Sequence, residues 1–405
     1  MGMNSTPSSE RTHIGFFGRR NAGKSSVVNA VTGQDMSVVS EFKGTTTDPV
    51  SKTMELLPLG PVVIIDTPGF DDEGELGEKR VARTKRTLNR TDLAVLIVDA
   101  QAGLAASDRQ LLQLFTQKQI PYVIVYNKAD LTGDVPGQAK GADSICVSAL
   151  TGEGITQLKE HLAGMRGHVK TQPLVGDLIE PGDTVLLVIP IDKAAPKGRL
   201  ILPQQMMIRG VLDAGGAVVC VKENLLEQTL QQYRCSRKDG ANIGTKDGIS
   251  LVITDSQVFR EVAEILPESV PLTSFSVLMA RYKGLLDAAV QGARRIDDLA
   301  DGDTVLISEG CTHHRQCDDI GTVKIPKWLT ARTGAALHFE TSSGMGFPED
   351  LRRYALIIHC GGCMLGDREV QYRMKCAADQ NVPITNYGTA IAYMNGILDR
   401  STKML

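Results

Sequence analysis

An unbroken phosphate-binding motif lies near the start of the chain, at residues 18–25. Its sequence, GRRNAGKS, matches GxxxxGK[ST], follows a short apolar strand and opens a helix, which is the context that the motif requires. The backbone N–H groups of such a loop and the helix N-terminus form an anion cradle. Lys24 would reach the β- and γ-phosphates of a nucleotide, and Ser25 would bind Mg²⁺. Taken alone, the motif is also compatible with a glycine-rich turn that binds nothing.

Two further motifs suit the phosphate end of a nucleotide site. The sequence DTPG at residues 66–69 ends an apolar strand. There the Asp66 carboxylate would hold the Mg²⁺ shell, and the Gly69 N–H would sense the γ-phosphate. The polar sequence GTTT at residues 44–47 suits a mobile switch, in which Thr46 would close on Mg²⁺. We therefore expect Lys24, Thr46, Asp66 and Gly69 to serve catalysis.

Two motifs suit the base end of the site. NKAD at residues 127–130 follows the apolar strand YVIVY. The Asp130 carboxylate can accept from both N1–H and the 2-amino group of guanine, whereas adenine offers neither donor, so such a site rejects ATP. The Ala149 N–H, after Ser148, would reach guanine O6. The expected nucleotide-binding residues are Gly18, Asn21, Ala22, Gly23, Lys24, Ser25, Ser26, Asn127, Lys128, Asp130, Ser148 and Ala149.

Cysteines are concentrated in the last quarter of the chain, which holds five of the eight. The sequence CTH at residues 311–313 follows the strand-like TVLIS, and HCGGC at residues 359–363 follows YALII. Because the carboxyl ends of parallel strands meet at one edge of a sheet, the two clusters can come together. Three cysteines with histidines nearby indicate a metal site whose cysteine shell is incomplete.

Other interpretations of the cysteines remain open. Cys360 and Cys363 alone would suit a redox dithiol. Cys317 would complete a four-cysteine structural zinc site. Cys376 fits an inert buried thiol, and Cys220, in the apolar sequence AVVCV, is a candidate core residue.

Alternating strands and helices must position these groups. Up to Met165 the apolar runs predict a doubly wound parallel sheet with helices on both faces. A polar stretch with prolines and glycines then reads as a linker. We expect α/β domains over residues 12–168, 182–258 and 265–405, and no exact internal repeat is visible.

Composition restricts the function further. The net charge of the 405 residues is −3 and aromatic residues make up 4%, which argues against a nucleic-acid partner. No apolar run reaches the length of a membrane-spanning helix, and the N-terminus lacks the pattern of a signal peptide. We expect a cytoplasmic protein that does not bind a membrane.

The nucleotide motifs resemble the small-GTPase superfamily and, within it, a bacterial potassium-dependent branch with GRxNAGKSS and GTTxD-type motifs. The resemblance covers roughly the first 165 residues. It implies that Asn21 ligates a potassium ion, which supplies charge where other GTPases use an arginine finger. Phe70 stands where many GTPases carry a water-orienting glutamine, so we expect slow, regulatory turnover.

A GTPase domain of this kind joined to C-x-H and HCxxC motifs resembles the HydF family, the maturation GTPases of iron–iron hydrogenase. The resemblance implies a GTPase domain followed by a dimerisation domain and an iron–sulfur cluster-binding domain. It implies a 4Fe–4S cluster on Cys311, Cys360 and Cys363 with an exchangeable fourth ligand, for which His313 and His359 are candidates.

The same resemblance implies a function and partners. The chain would be a scaffold and carrier for assembly and delivery of the di-iron subcluster, a transient cargo. Radical-SAM maturases would supply its ligands, apo-hydrogenase would receive it, and the protein would be a homodimer. An alternative is a ribosome- or RNA-associated GTPase with a structural zinc domain, against which the acidic net charge argues.

Overall fold

The computed structural model describes residues 11–34, 50–67, 84, 87–131, 144–165, 173–190, 200–233, 248–310, 319–344, 346–363 and 365–405. They belong to two compact units, which divide between Val169 and Lys170. Within these residues, no helix has the length and apolar character needed to cross a membrane.

The first unit is built on a six-stranded sheet of order β2-β3-β1-β4-β5-β6. Its elements are β1 (Thr12–Gly18), α1 (Lys24–Thr32), β2 (Val50–Leu56), β3 (Gly60–Asp66), β4 (Leu93–Asp99), α2 (Ala106–Gln117), β5 (Tyr122–Asn127), β6 (Ser144–Cys146) and α3 (Ile155–Met165). The edge strand β2 runs antiparallel to β3, because residues 57–59 are too few for a crossover connection. The other pairs are parallel.

Both faces of this sheet are buried, which explains the continuous apolar runs of its central strands. Along β4, Val95 and Ile97 face a core that includes α1 and α3. Leu96 and Val98 face a second core that includes Phe115 of α2. The predicted doubly wound sheet with helices on both faces is therefore confirmed.

The second unit contains two parallel four-stranded sheets, of order β10-β9-β7-β8 and β12-β11-β13-β14. Its strands are β7 (Thr184–Val188), β8 (Ala217–Val221), β9 (Ile249–Thr254), β10 (Leu272–Ser274), β11 (Thr304–Glu309), β12 (His338–Ser343), β13 (Leu356–His359) and β14 (Ile384–Asn386). Its helices are α4 (Leu202–Asp213), α5 (Leu226–Gln232), α6 (Phe259–Ile265), α7 (Phe275–Tyr282), α8 (Leu286–Arg294), α9 (Ile325–Thr333), α10 (Asp367–Asp379), α11 (Tyr387–Met394) and α12 (Leu398–Thr402).

Strand β10 differs from the sequence expectation. It lies inside the range 265–405 that we assigned to a third domain, yet it pairs with β9 in the first of the two sheets. Short apolar strands buried on both faces carry no pattern that identifies their neighbours.

The two sheets of the second unit repeat one topology. In each, the first strand lies between the second and the third, and the fourth is at the edge beyond the third. The Asp183 carboxylate accepts a backbone N–H three residues earlier at 2.8 Å, and Asp303 does the same at 2.9 Å. Ser274 and Asn386 cap the helices that follow the fourth strands. The unit therefore consists of two copies of one fold, which the sequence did not reveal.

The copies exchange helices. Helix α8 follows the first sheet but packs against β14 of the second, whereas α12 follows the second sheet and contacts β10 of the first. The Thr385 hydroxyl donates to Ala289 O at 2.7 Å. A Cβ at Gly292 of α8 would lie 2.1 Å from Ile384 O, so α8 can approach β14 only with glycine at this position. Each sheet is thus covered by a helix that the other copy supplies.

We predict that Gly292→Ala destabilises the second unit by about 1–3 kcal/mol, because the added methyl group overpacks against backbone. The sole tryptophan, Trp328, lies on α9, so its fluorescence during urea unfolding reports on this unit alone. Gly176→Ala is the control, since its Cβ would lie at an ordinary 3.6 Å from Ala214 Cβ. Equal unfolding midpoints for both variants would contradict the close approach of α8.

Candidate functional site

The predicted phosphate loop connects β1 to α1. Gly23 has a φ of 85°, in the left-handed region that favours glycine. A Cβ at this position would lie 2.1 Å from Asn127 Nδ2. Glycine is therefore favoured for two reasons. The backbone conformation disfavours other residues, and the Asn127 amide leaves no space for a Cβ.

Lys24 lies at the phosphate end of the loop. Its ammonium contacts Asp66 Oδ1 and Thr67 O at the end of β3. A bound phosphate would compete with these acceptors for the ammonium, which would release the Asp66 carboxylate for the Mg²⁺ shell. Ser25 is exposed beside Lys24, so its hydroxyl is accessible to a metal ion.

Asn21 and Ser26 are the remaining loop residues that the sequence assigned to binding, together with Gly18 and Ala22. The side chains of Asn21 and Ser26 are exposed, and Asn21 has a φ of 65°. The exposed Asn21 side chain is accessible to a cation, such as the potassium ion that the sequence resemblance implies. Gly18 ends β1 beside β4, and Ala22 is buried.

Asn127 joins the phosphate loop to the base-binding loops. Its side chain is 2% exposed, Nδ2 donates to Ala22 O at 3.1 Å, and Oδ1 accepts from Ala149 N at 3.1 Å. The sequence identified Asn127 as a nucleotide contact and missed this bridging role. To donate to guanine O6, the Ala149 N–H would either divide its hydrogen bond between O6 and Asn127 Oδ1 or give up the bond to Asn127.

The guanine-recognition loop is anchored from two sides. The buried Ser148 hydroxyl donates to Asp130 Oδ1 at 2.6 Å, while the Asp130 side chain stays exposed. The Lys128 ammonium donates to Asp99 Oδ2 at 2.6 Å, and this bond lowers the pKa of Asp99. Sequence reasoning did not identify Asp99, which ends β4 next to β5. Thr46 and Gly69 lie outside the described residues.

The strands that precede the two cysteine clusters are neighbours in the sheet. Strands β11 and β13 pair in parallel with Ser308 opposite His359. The Gly310 N–H donates to Cys360 Sγ at 3.0 Å, and the Gly362 N–H lies 3.4 Å from the same sulfur. Gly310 is the residue before Cys311 in the sequence. Cys311 and His313 themselves lie outside the described residues.

His359 is enclosed at the end of β13. Its side chain is 2% exposed, Nδ1 lies 2.6 Å from Cys360 O, and Nε2 lies 3.1 Å from Arg373 Nη1. Burial, followed by the charge of Arg373, lowers the pKa of His359 to about 4. Both ring nitrogens thus have hydrogen-bond partners within the protein. His359 could bind a metal only by losing one of these two hydrogen bonds.

The other cysteines differ in their surroundings. Cys363 is half-buried at the end of the CGGC sequence. Cys376 packs against an apolar cluster that includes Leu306, in keeping with an inert thiol. The prediction that Cys220 lies in a core is wrong: it is exposed, because β8 is an edge strand. Among the residues with described positions, no three His, Cys, Asp or Glu side chains form a metal site.

The described part of the cysteine site fits a thiolate-bound metal centre. Two backbone N–H groups directed at one sulfur stabilise a thiolate, and such hydrogen bonds also tune iron–sulfur clusters. Gly362, between Cys360 and Cys363, has a φ of 65°, in the left-handed region that favours glycine. These features suit zinc as well as iron, so the donor set alone does not select the metal.

Three family profiles match the chain. The 50S ribosome-binding GTPase profile matches residues 13–128. The hydrogen maturase F dimerization domain profile matches residues 174–284, and the hydrogen maturase F tetramerization domain profile matches residues 287–404. The first unit is a P-loop GTPase domain, which hydrolyses GTP to GDP and phosphate. The two further profiles together span the second unit, and the chain belongs to the hydrogen maturase F family.

Curated relatives match the GTPase domain alone. The tRNA modification GTPase MnmE of Chromobacterium violaceum is 38% identical over 162 residues, which are 39% of this chain and 36% of that protein. MnmE of Paraburkholderia xenovorans is 35% identical over 164 residues, 39% of this chain and 35% of that protein. The chain therefore spans about a third of the length of these relatives.

A solved structure, that of a probable GTP-binding protein engB, is 24% identical with a TM-score of 0.33. The matched region is 38% of this chain and 98% of the engB chain.

We predict that Gly23→Ala weakens GDP binding by about tenfold or more, equivalent to ~1.4 kcal/mol, because the methyl group collides with the Asn127 amide. Fluorescent GDP titration measures the affinity. Gly164→Ala on α3 is the control, as its Cβ would meet no atom within 4 Å. Unchanged GDP affinity in Gly23→Ala would show that the loop and Asn127 are not tightly coupled.

Proposed function

We propose that the chain is a GTP-regulated scaffold and carrier for the di-iron subcluster of iron–iron hydrogenase. The observation that carries the proposal is the contact between Gly310 N and Cys360 Sγ, which joins the two cysteine-bearing strand ends. The match to both hydrogen maturase F domains supports the assignment to maturation rather than to another thiolate site.

In this proposal Cys311, Cys360 and Cys363 bind a 4Fe–4S cluster as thiolates. When bound, the cluster supplies an iron with an exchangeable ligand, to which a second metal fragment can attach. The protein's part is to hold the cysteines in place and to stabilise the thiolate charge with backbone N–H groups. Gly310 and Gly362 donate backbone N–H groups to the Cys360 sulfur, and the half-buried Cys363 follows.

The GTPase domain acts as a switch in this scheme. GTP would engage Lys24, Asp130 and the switch residue Thr46, and hydrolysis would release the switch. Slow GTP hydrolysis suits a switch that changes contacts with partners rather than a protein that performs mechanical work. The proposed partners are radical-SAM maturases, which build the cargo, and apo-hydrogenase, which receives it. The dimerization domain supports a homodimer.

We predict that GTP hydrolysis is faster in potassium than in sodium buffer at equal ionic strength. Asn21 would hold the ion where an arginine finger supplies about 10³–10⁵ in kcat in other GTPases. Steady-state phosphate release measures the rates, and Asn21→Ala should abolish the difference between the salts. Equal wild-type rates in both buffers would remove potassium from the mechanism.

We predict about four iron and four sulfide per chain after anaerobic reconstitution, together with an EPR signal after dithionite reduction. The Cys311→Ala, Cys360→Ala, Cys363→Ala variant should lose both. Cys220→Ala, on an exposed edge strand, is the control and should retain them. Stoichiometric zinc without iron would instead favour a ribosome- or RNA-associated GTPase with a structural zinc domain.

A further inference from the structure

A buried arginine lies beneath the cysteine edge of the second unit. Arg373 of α10 is 1% exposed and heads the largest fully buried side chains among the described residues. Its Nε donates to Glu369 Oε1 at 2.9 Å, and Glu369 is itself 4% exposed. A buried ion pair is weak support for stability, since apolar side chains of similar volume often replace one without loss. Its position therefore calls for another explanation.

The guanidinium of Arg373 connects three strand ends. Nη1 donates to Ser308 Oγ on β11 at 3.3 Å and lies 3.1 Å from His359 Nε2 on β13. Nη2 donates to Gly344 O, just after β12, at 2.6 Å. These are the carboxyl ends of three adjacent strands, at the edge that carries both cysteine clusters. A planar fork of donors can satisfy them together, which a lysine ammonium cannot do in the same geometry.

Arg373 also determines where the proton of His359 lies. A guanidinium only donates hydrogen bonds, so His359 Nε2 must accept, and the ring proton must be on Nδ1. Nδ1 then donates to Cys360 O at 2.6 Å. The same cysteine receives the Gly310 N–H at its sulfur. Cys360 is thus held at its carbonyl by the histidine and at its sulfur by the neighbouring strand end.

We propose that Arg373 and His359 form a positioning relay that holds Cys360 in place as a metal ligand. In this relay His359 supports the cysteine from behind and is not itself the exchangeable fourth ligand. The inference rests on the proposed function, because it assigns to Cys360 the role of a cluster ligand. It extends that function to α10, which contributes no ligand.

The relay is tested by the rate of iron loss from the reconstituted protein to a chelator. The double variant Arg373→Met, Glu369→Gln removes the fork without leaving a buried carboxylate unpaired. We expect it to lose iron about 10–100-fold faster than wild type, the range typical of lost support behind a metal ligand. Arg373→Lys keeps the positive charge but not the planar set of donors, so its rate of iron loss should lie between those of wild type and the double variant. Lys375→Met, an exposed position on the same helix, is the matched control and should behave as wild type.

Trp328 fluorescence establishes that each variant is folded before iron release is measured. A folded double variant that retains iron as wild type does would overturn the relay. Pulsed EPR then separates support from ligation. His359→Gln should lose iron faster and yet keep the nitrogen couplings of the wild-type cluster. Loss of a strongly coupled imidazole nitrogen in this variant would identify His359 as a ligand and overturn the positioning role.

Failure of the proposed function gives a different result. If wild-type protein binds no iron, the cluster assignment is wrong, and the relay is then tested in metal-free protein. Iodoacetamide alkylation of Cys360, followed by mass spectrometry of its peptide, should be faster in the double variant than in wild type and in Lys375→Met. Equal alkylation rates in all three would refute the relay independently of any metal.

Discussion

Parallel pairing of strands is the constraint on which both sites depend. Because all carboxyl ends of a parallel sheet open on one edge, residues far apart in sequence become neighbours there. In the first unit this brings Asn127, at the end of β5, to the phosphate loop after β1. In the second unit it brings Cys360 to the chain that leaves β11. The two sites therefore share an architectural origin although their chemistry differs.

Candidate ligands for both sites could be proposed from the sequence, because a nucleotide and a metal each demand particular side chains at particular spacings. The supporting residues could not. Asp99, which accepts a hydrogen bond from Lys128, ends an apolar strand, and Arg373, which contacts His359, lies on an amphipathic helix; neither residue is part of a recognisable motif. Their roles arise from which strands become neighbours, and apolar runs buried on both faces do not record that. The predicted domain boundary between residues 258 and 265, which separates β10 from its neighbour β9, has the same cause.

The histidine of the HCGGC sequence shows why spacing alone does not assign a ligand. A histidine beside a cysteine cluster suggests a ligand, since imidazole is a common one. His359 is buried, and both of its ring nitrogens have partners within the protein, which supports the proposed positioning role rather than ligation. Sequence spacing places a residue near a metal, but only its hydrogen bonds indicate whether its ring nitrogens are available.

The exchange of α8 and α12 also bears on how the second unit arose. Two copies of one fold that each lend a helix to the other have the arrangement of a domain-swapped homodimer whose subunits became covalently joined. Two halves of a single chain do not have to remain identical. After the third strand, one copy carries Asp255, whose carboxylate caps a turn, and the other carries Cys360. In the proposed function one strand end therefore carries a metal ligand, whereas the equivalent strand end of the other copy has a structural role.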